Sequence, residues 1–113
     1  MDDLTIESWQ DKIRRIASDI QNAEFAVFKA EADIKKLQAN LELQAMSTGA
    51  KTISAQKMIA DNNPKLYDAR LKHGTAKGNL SGLKIQLRAL EVGFEEWRTK
   101  NANIRSERSR YGA

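Results

Sequence analysis

Apolar residues recur at Ile6, Trp9, Ile13, Ile16, Ile20, Ala23, Val27, Ala30, Ile34, Leu37 and Leu41, in alternating steps of three and four without a break. That spacing predicts a helix whose a/d seam runs for about five heptads. Asp2, Asp3 and Glu7 place negative charge where a helix start favours it, with Asp3 or Thr5 as N-cap, and Ser47-Thr48-Gly49 reads as a stop. The first helix is therefore expected over residues 5–47. Asn63-Pro64 is a second start, an N-cap followed by proline where a missing N–H costs nothing. From there Leu66, Ala69, His73, Ala76, Leu80, Leu83, Leu87, Leu90, Phe94, Trp97, Asn101 and Ile104 repeat the same spacing, predicting a helix over 64–108 with a frayed tail at 109–113. Between the two, residues 54–61 predict a short helix with Ile53, Met58 and Ile59 as its apolar contacts.

Two apolar stripes joined by about twenty residues can cover each other when the helices fold back. The expected fold is all-α: two long helices in an antiparallel coiled-coil hairpin, a short helix in the connection, and one domain over residues 1–113. Alternating large and small side chains suggest a register with Ala30 opposite Leu80, Ala23 opposite Leu87, Ile34 opposite Ala76 and Ile13 opposite Trp97.

A hairpin leaves part of the pattern over. Phe25, Phe28, Ala32, Ala39, Leu43 and Met46 lie opposite the first seam, and Tyr67, Leu71, Ile85, Ala89 and Val92 lie opposite the second. Exposed stripes of this kind mark interaction surfaces, which here implies a helical homo-oligomer. Gly74, Gly78 and Gly82 recur every fourth residue, each costing about 1 kcal/mol relative to alanine inside a helix. Either another helix approaches closely there, or the helix bends or breaks between residues 73 and 82. The expected oligomer surface is Phe25, Phe28, Ala32, Leu43, Met46, Leu71, Gly78, Gly82, Ile85 and Val92.

Composition agrees with long helices: aromatics are 6% and charged residues 30% of 113 residues, with a single proline. Without cysteine there is no disulfide framework, which fits a reducing, cytoplasmic setting. The acidic start lacks an apolar leader, and no run approaches the roughly 18 apolar residues of a membrane span, so no membrane partner is expected. Enzyme chemistry finds little to work with. One histidine, no cysteine and no glycine-rich strand-to-helix loop leave no catalytic constellation, metal site or cofactor site to assign. A di-iron bundle needs Glu three residues before its histidine, and His73 has Arg70 there. His73 and Asn101 read instead as polar seam residues that fix register or pairing.

Charge is unevenly spread. Residues 1–47 hold 6 basic and 9 acidic side chains, and residues 48–113 hold 13 and 6. Lys51, Lys57, Lys65, Arg70, Lys72, Lys77, Lys84 and Arg88 are opposed only by Asp61 and Asp68 within their stretch. Such a set attracts phosphate backbones, and Tyr67 among them can stack on a base. The same set also reads as ordinary solvation of exposed helix faces. Arg98, Lys100, Arg105, Arg108 and Arg110 form a second basic run, which either binds phosphate or complements a helix C-terminus. No base-reading motif is present, so binding would be sequence-tolerant.

The order Lys51-Thr52-Ile53-Ser54, a short helix, Asn63-Pro64-Lys65-Leu66-Tyr67-Asp68-Ala69, then a Leu-rich helix closing with Glu96-Trp97-Arg98-Thr99-Lys100-Asn101-Ala102 resembles small phage proteins of the recombination mediator (UvsY-like) group. The likeness covers roughly the last two thirds of the chain. It implies an oligomeric helical protein of the host cytoplasm that binds single-stranded DNA and loads a RecA-like recombinase onto strands covered by single-strand-binding protein. Ala69-Arg70-Leu71 matches that group's basic segment, which points to Arg70 and Lys72 as contacts. The alternative from the residues alone is a protein-interaction module, a scaffold, adaptor or chaperone, that docks a partner helix on its outer apolar stripe.

Overall fold

The computed structural model describes residues 5–110, and three α-helices account for most of them: α1 at Ile6–Ser47, α2 at Ile53–Asp61 and α3 at Pro64–Arg110. Their boundaries fall where local chemistry sets them. Thr5 Oγ1 accepts from the Ser8 amide at 3.1 Å and Ser8 Oγ accepts from the Thr5 amide at 3.1 Å, a reciprocal cap on two otherwise unpaired donors. Thr5 is thus the N-cap, and the other candidate, Asp3, lies outside the described residues, as do positions 111–113 of the expected tail. Residues 109 and 110 are helical.

At the other end of α1, Gly49 adopts φ +113°, the Ala50 amide bonds to the Ala45 carbonyl at 3.0 Å and the Gly49 amide to the Met46 carbonyl at 3.2 Å. This pair of reversed bonds closes the helix, and the left-handed residue it requires is glycine. Thr52 caps α2 by accepting from the Ala55 amide at 3.1 Å. Asn63 caps α3, its Oδ1 accepting from the Lys65 amide at 2.9 Å across Pro64. Gly74, Gly78 and Gly82 sit inside α3 without interrupting it, so the break offered as one alternative does not occur.

The chain divides into two compact units, one of residues 1–20 and 82–113, the other of residues 21–81. In the first, Trp9 of α1 packs on α3, with ring centroids 6.0 Å from Phe94 and 6.4 Å from Trp97. Trp97 therefore meets Trp9, one helical turn before the Ile13 expected from the alternation of large and small residues. Gly93 explains the difference: a Cβ there would lie 3.1 Å from Trp9 Cη2, so the absent side chain is the hollow that admits the indole. The Trp9 Nε1–H is covered and meets no acceptor among the described residues.

In the second unit, Leu41, Ala60 and Leu66, one from each helix, form the core, with Ile34 and Leu37 packed against it. Ala60 and Leu66 are fully covered. The short helix thus seats by its alanine face, and the predicted contacts Ile53, Met58 and Ile59 are instead exposed, Ile53 at 71%. A small side chain brings the α2 backbone close to Leu41 and Leu66, and this turns the larger residues outward. Gln56 Nε2 donates to the Ala50 carbonyl at 3.0 Å, fixing α2 to the connection. His73 Nε2 lies 3.1 Å from Glu31 Oε1, the pairing role expected of a polar seam residue.

The glycines make opposite predictions. A Cβ at Gly78 meets nothing within 4 Å, so Gly78→Ala should stabilise the single chain by about 1 kcal/mol through helix propensity. Gly93→Val should destabilise it, because the Trp9 ring must leave its hollow. Thermal melts of dilute protein followed by circular dichroism check both.

Candidate nucleic-acid interface

Helix periodicity decides where each basic residue of the second unit stands. Along α3, Lys65 and Lys72 are seven apart and share one flank, while Arg70 and Lys77, also seven apart, share the other. Tyr67 and Leu71 lie on the outward face between these flanks, both exposed. Lys57 projects from α2, and Lys51 precedes its cap. On α3 the basic residues of this unit are therefore set on either side of an exposed aromatic and apolar strip instead of forming one patch.

All of them are exposed, but they are not equivalent. Arg70 Nη2 is 3.0 Å from Asp61 Oδ1, and both side chains are about half exposed. Lys51, Lys57, Lys65, Lys72 and Lys77 have no carboxylate within 4 Å among the described residues. The Arg70 singled out by its match to a basic segment is thus already partnered across the α2–α3 turn, whereas the lysines offer unneutralised charge. The pairing joins residues nine apart, and no helical spacing within one element reveals it.

Lys84 and Arg88 belong to the first unit, on the exposed part of α3 that also carries Ile85 and Val92. Shallow surface grooves run there, one of them lined by Lys84, Ile85, Arg88, Ala89 and Val92. Arg98 is occupied: it lies 3.3 Å from Glu95 and over the Phe94 ring at 5.6 Å. Arg108 and Arg110 occupy the last turn of α3, where positive charge complements the helix end.

The residues expected to mediate assembly are exposed as well. Phe25 and Phe28 are 66% and 67% exposed, Leu43 and Met46 more than half, and all four stand on α1 in the second unit with Ala32 and Ala39 between them. Leu71 and Gly78 lie in the same unit, and Gly82, Ile85 and Val92 lie in the first. Among the described residues no group of three His, Asp or Glu side chains is placed to hold a metal ion, and no helix is long and apolar enough to cross a membrane.

These features define an all-helical chain whose distinctive chemistry is on its outer faces. Comparison with family models, curated proteins and solved structures finds no match for this chain.

The Arg70–Asp61 contact yields a test of surface charge. An exposed pair of this kind contributes at most about 1 kcal/mol, so Asp61→Asn should barely move the melting temperature. It should strengthen binding of a polyanion such as heparin, measured by its salt elution point, because Arg70 is released and one negative charge removed.

Proposed function

We propose that the chain is a non-enzymatic accessory protein that binds single-stranded nucleic acid, working as a helical homo-oligomer. The observation that carries this reading is the set of exposed lysines without a carboxylate partner among the described residues, Lys51, Lys57, Lys65, Lys72 and Lys77, together with exposed Tyr67 between the two basic flanks of α3. Lysines draw in the phosphate backbone by releasing its counterions, and an exposed phenol ring supplies a base-stacking platform that does not discriminate sequence. In the first unit Lys84 and Arg88 offer a separate pair of exposed basic residues. Several copies in one oligomer multiply weak contacts along a strand, so useful affinity arises without a deep site.

The reading takes the two long helices to form an antiparallel hairpin; in support, within the second unit Glu31 of α1 meets His73 of α3 while Leu41 clusters with Leu66. The narrower role of recombination mediator, with a RecA-like recombinase or single-strand-binding protein as partner in a host cytoplasm, is carried by the resemblance alone.

A second reading is favoured by the exposure of Phe25 and Phe28: a protein-interaction module that docks a partner's helix on the outer face of α1. In that case Phe25→Ser together with Phe28→Ser abolishes partner binding and leaves helicity unchanged.

The nucleic-acid reading is tested by fluorescence anisotropy of a labelled single-stranded oligonucleotide across a salt series, with duplex as competitor. With up to five lysines engaged, the log–log salt slope should reach about −3.5 and single strands should be preferred. Replacing Lys65, Lys72 and Lys77 with Glu should abolish binding while preserving the oligomer. Binding left intact at low salt by that change would exclude this surface.

A further inference from the structure

The outer stripe of α1 has an order that neither the hairpin nor nucleic-acid binding accounts for. Its members Phe25, Phe28, Ala32, Ala39, Leu43 and Met46 are separated by 3, 4, 7, 4 and 3 residues, the same intervals read from either end. All six are exposed and belong to one continuous helix within the second compact unit. From the palindromic spacing and the exposure together, we propose that this face is a two-fold interface with a second copy of the chain, the two α1 helices running antiparallel about an axis between Lys35 and Lys36.

In that arrangement Phe25 meets Met46 of the other copy, Phe28 meets Leu43 and Ala32 meets Ala39. Each large side chain faces another large one near the ends, with thioether against aromatic ring at Phe25, and the alanines let the backbones approach at the centre. A two-fold interface must be self-complementary in this way, each residue finding its partner's counterpart twice. A parallel pairing would set Phe25 against Phe25 and Met46 against Met46, and would leave the palindrome without a purpose.

Glu42 comes to the level of Lys29 of the other copy but on the opposite edge of the stripe, so the pairing rests on apolar contact and not on charge. Lys35 and Lys36 straddle the axis with their stems over Ala32 and Ala39 and their ammonium groups turned to solvent, as long cationic side chains do beside an apolar seam.

A phenylalanine buries about 150–250 Å² when covered, and two-thirds of that is open on each ring here, so the four large side chains of two copies supply at most about 800–1,000 Å². The alanines and lysine stems bring the total to the lower bound of a specific interface, about 1,200 Å². The inference deepens the homo-oligomer part of the proposed function and is independent of nucleic acid.

The absence of cysteine from the chain makes the test direct. Ala32→Cys and Ala39→Cys variants are prepared separately, checked for unchanged helicity by circular dichroism, and mildly oxidised either alone or after mixing under conditions that allow subunit exchange. Disulfides require Cα atoms within about 7 Å, so the mixture should give about ten-fold more cross-linked dimer than either variant alone. Adding Phe28→Ser to both variants should remove the cross-link. Efficient cross-linking of each variant by itself would show a parallel pairing and overturn the proposal. So would a mixture that cross-links no better than a cysteine at exposed Ser18, which would leave the stripe free for a different partner. Because no oligonucleotide is present, failure here leaves the nucleic-acid reading standing, and the converse also holds.

Discussion

A helix can bury only one stripe against one neighbour, and the rest of this structure depends on that constraint. Each long helix carries two apolar stripes, and the packing within each compact unit uses the inner one. The buried apolar set among the described residues is correspondingly small, Ala23, Leu41, Ala45, Ala60 and Leu66, three of the five being alanines. Such a core brings backbones close together but covers little apolar surface, so much of what the sequence provides in large side chains stays outside. Phe25, Phe28, Ile53, Met58, Tyr67 and Ile85 are all exposed. The interior accounts for the fold, and the exterior holds the residues available for recognition.

Electrostatics adds to the same division. Charged side chains lie on the flanks between inner and outer stripes, where they leave the seams apolar and meet solvent. Two carboxylates, Asp61 beside Arg70 and Glu31 beside His73, make contacts that tie one helix to another. Where none does, as along Lys65, Lys72 and Lys77, positive charge is left for a polyanion. The proposed nucleic-acid surface and the proposed two-fold interface use different faces, the first on α2 and α3 and the second on α1.

Much of the fold was legible because its determinants are local. The expected first helix, 5–47, is Ile6–Ser47, and the third, expected over 64–108, is Pro64–Arg110. Cap residues and glycine at a left-handed position mark ends by chemistry contained within a few residues. The seams were legible too: apart from Ile6 and Ile104 near the helix ends, every residue of the two predicted stripes is at least partly buried. Register was not legible, because it depends on which hollow accepts which side chain. Counting alanines missed Gly93, whose lack of a Cβ admits Trp9. The seating of α2 failed for a related reason: the largest apolar residues were taken as its contacts, whereas the smallest, Ala60, allows the closest approach. In the candidate site the exposure of the lysines followed from helix position, but the Arg70–Asp61 pair depends on the turn between α2 and α3 and has no signature in spacing.

On these proposals the outer faces of the helices work, one by assembling copies and the other by holding a nucleic-acid strand. Sedimentation equilibrium of the full chain, alone and with a fluorescent single-stranded oligonucleotide followed at its own wavelength, addresses both faces at once. A species of at least twice the 12.7 kDa of one chain, carrying the oligonucleotide with it, is the predicted result. A 12.7 kDa monomer at all concentrations, with the oligonucleotide sedimenting separately, would contradict it.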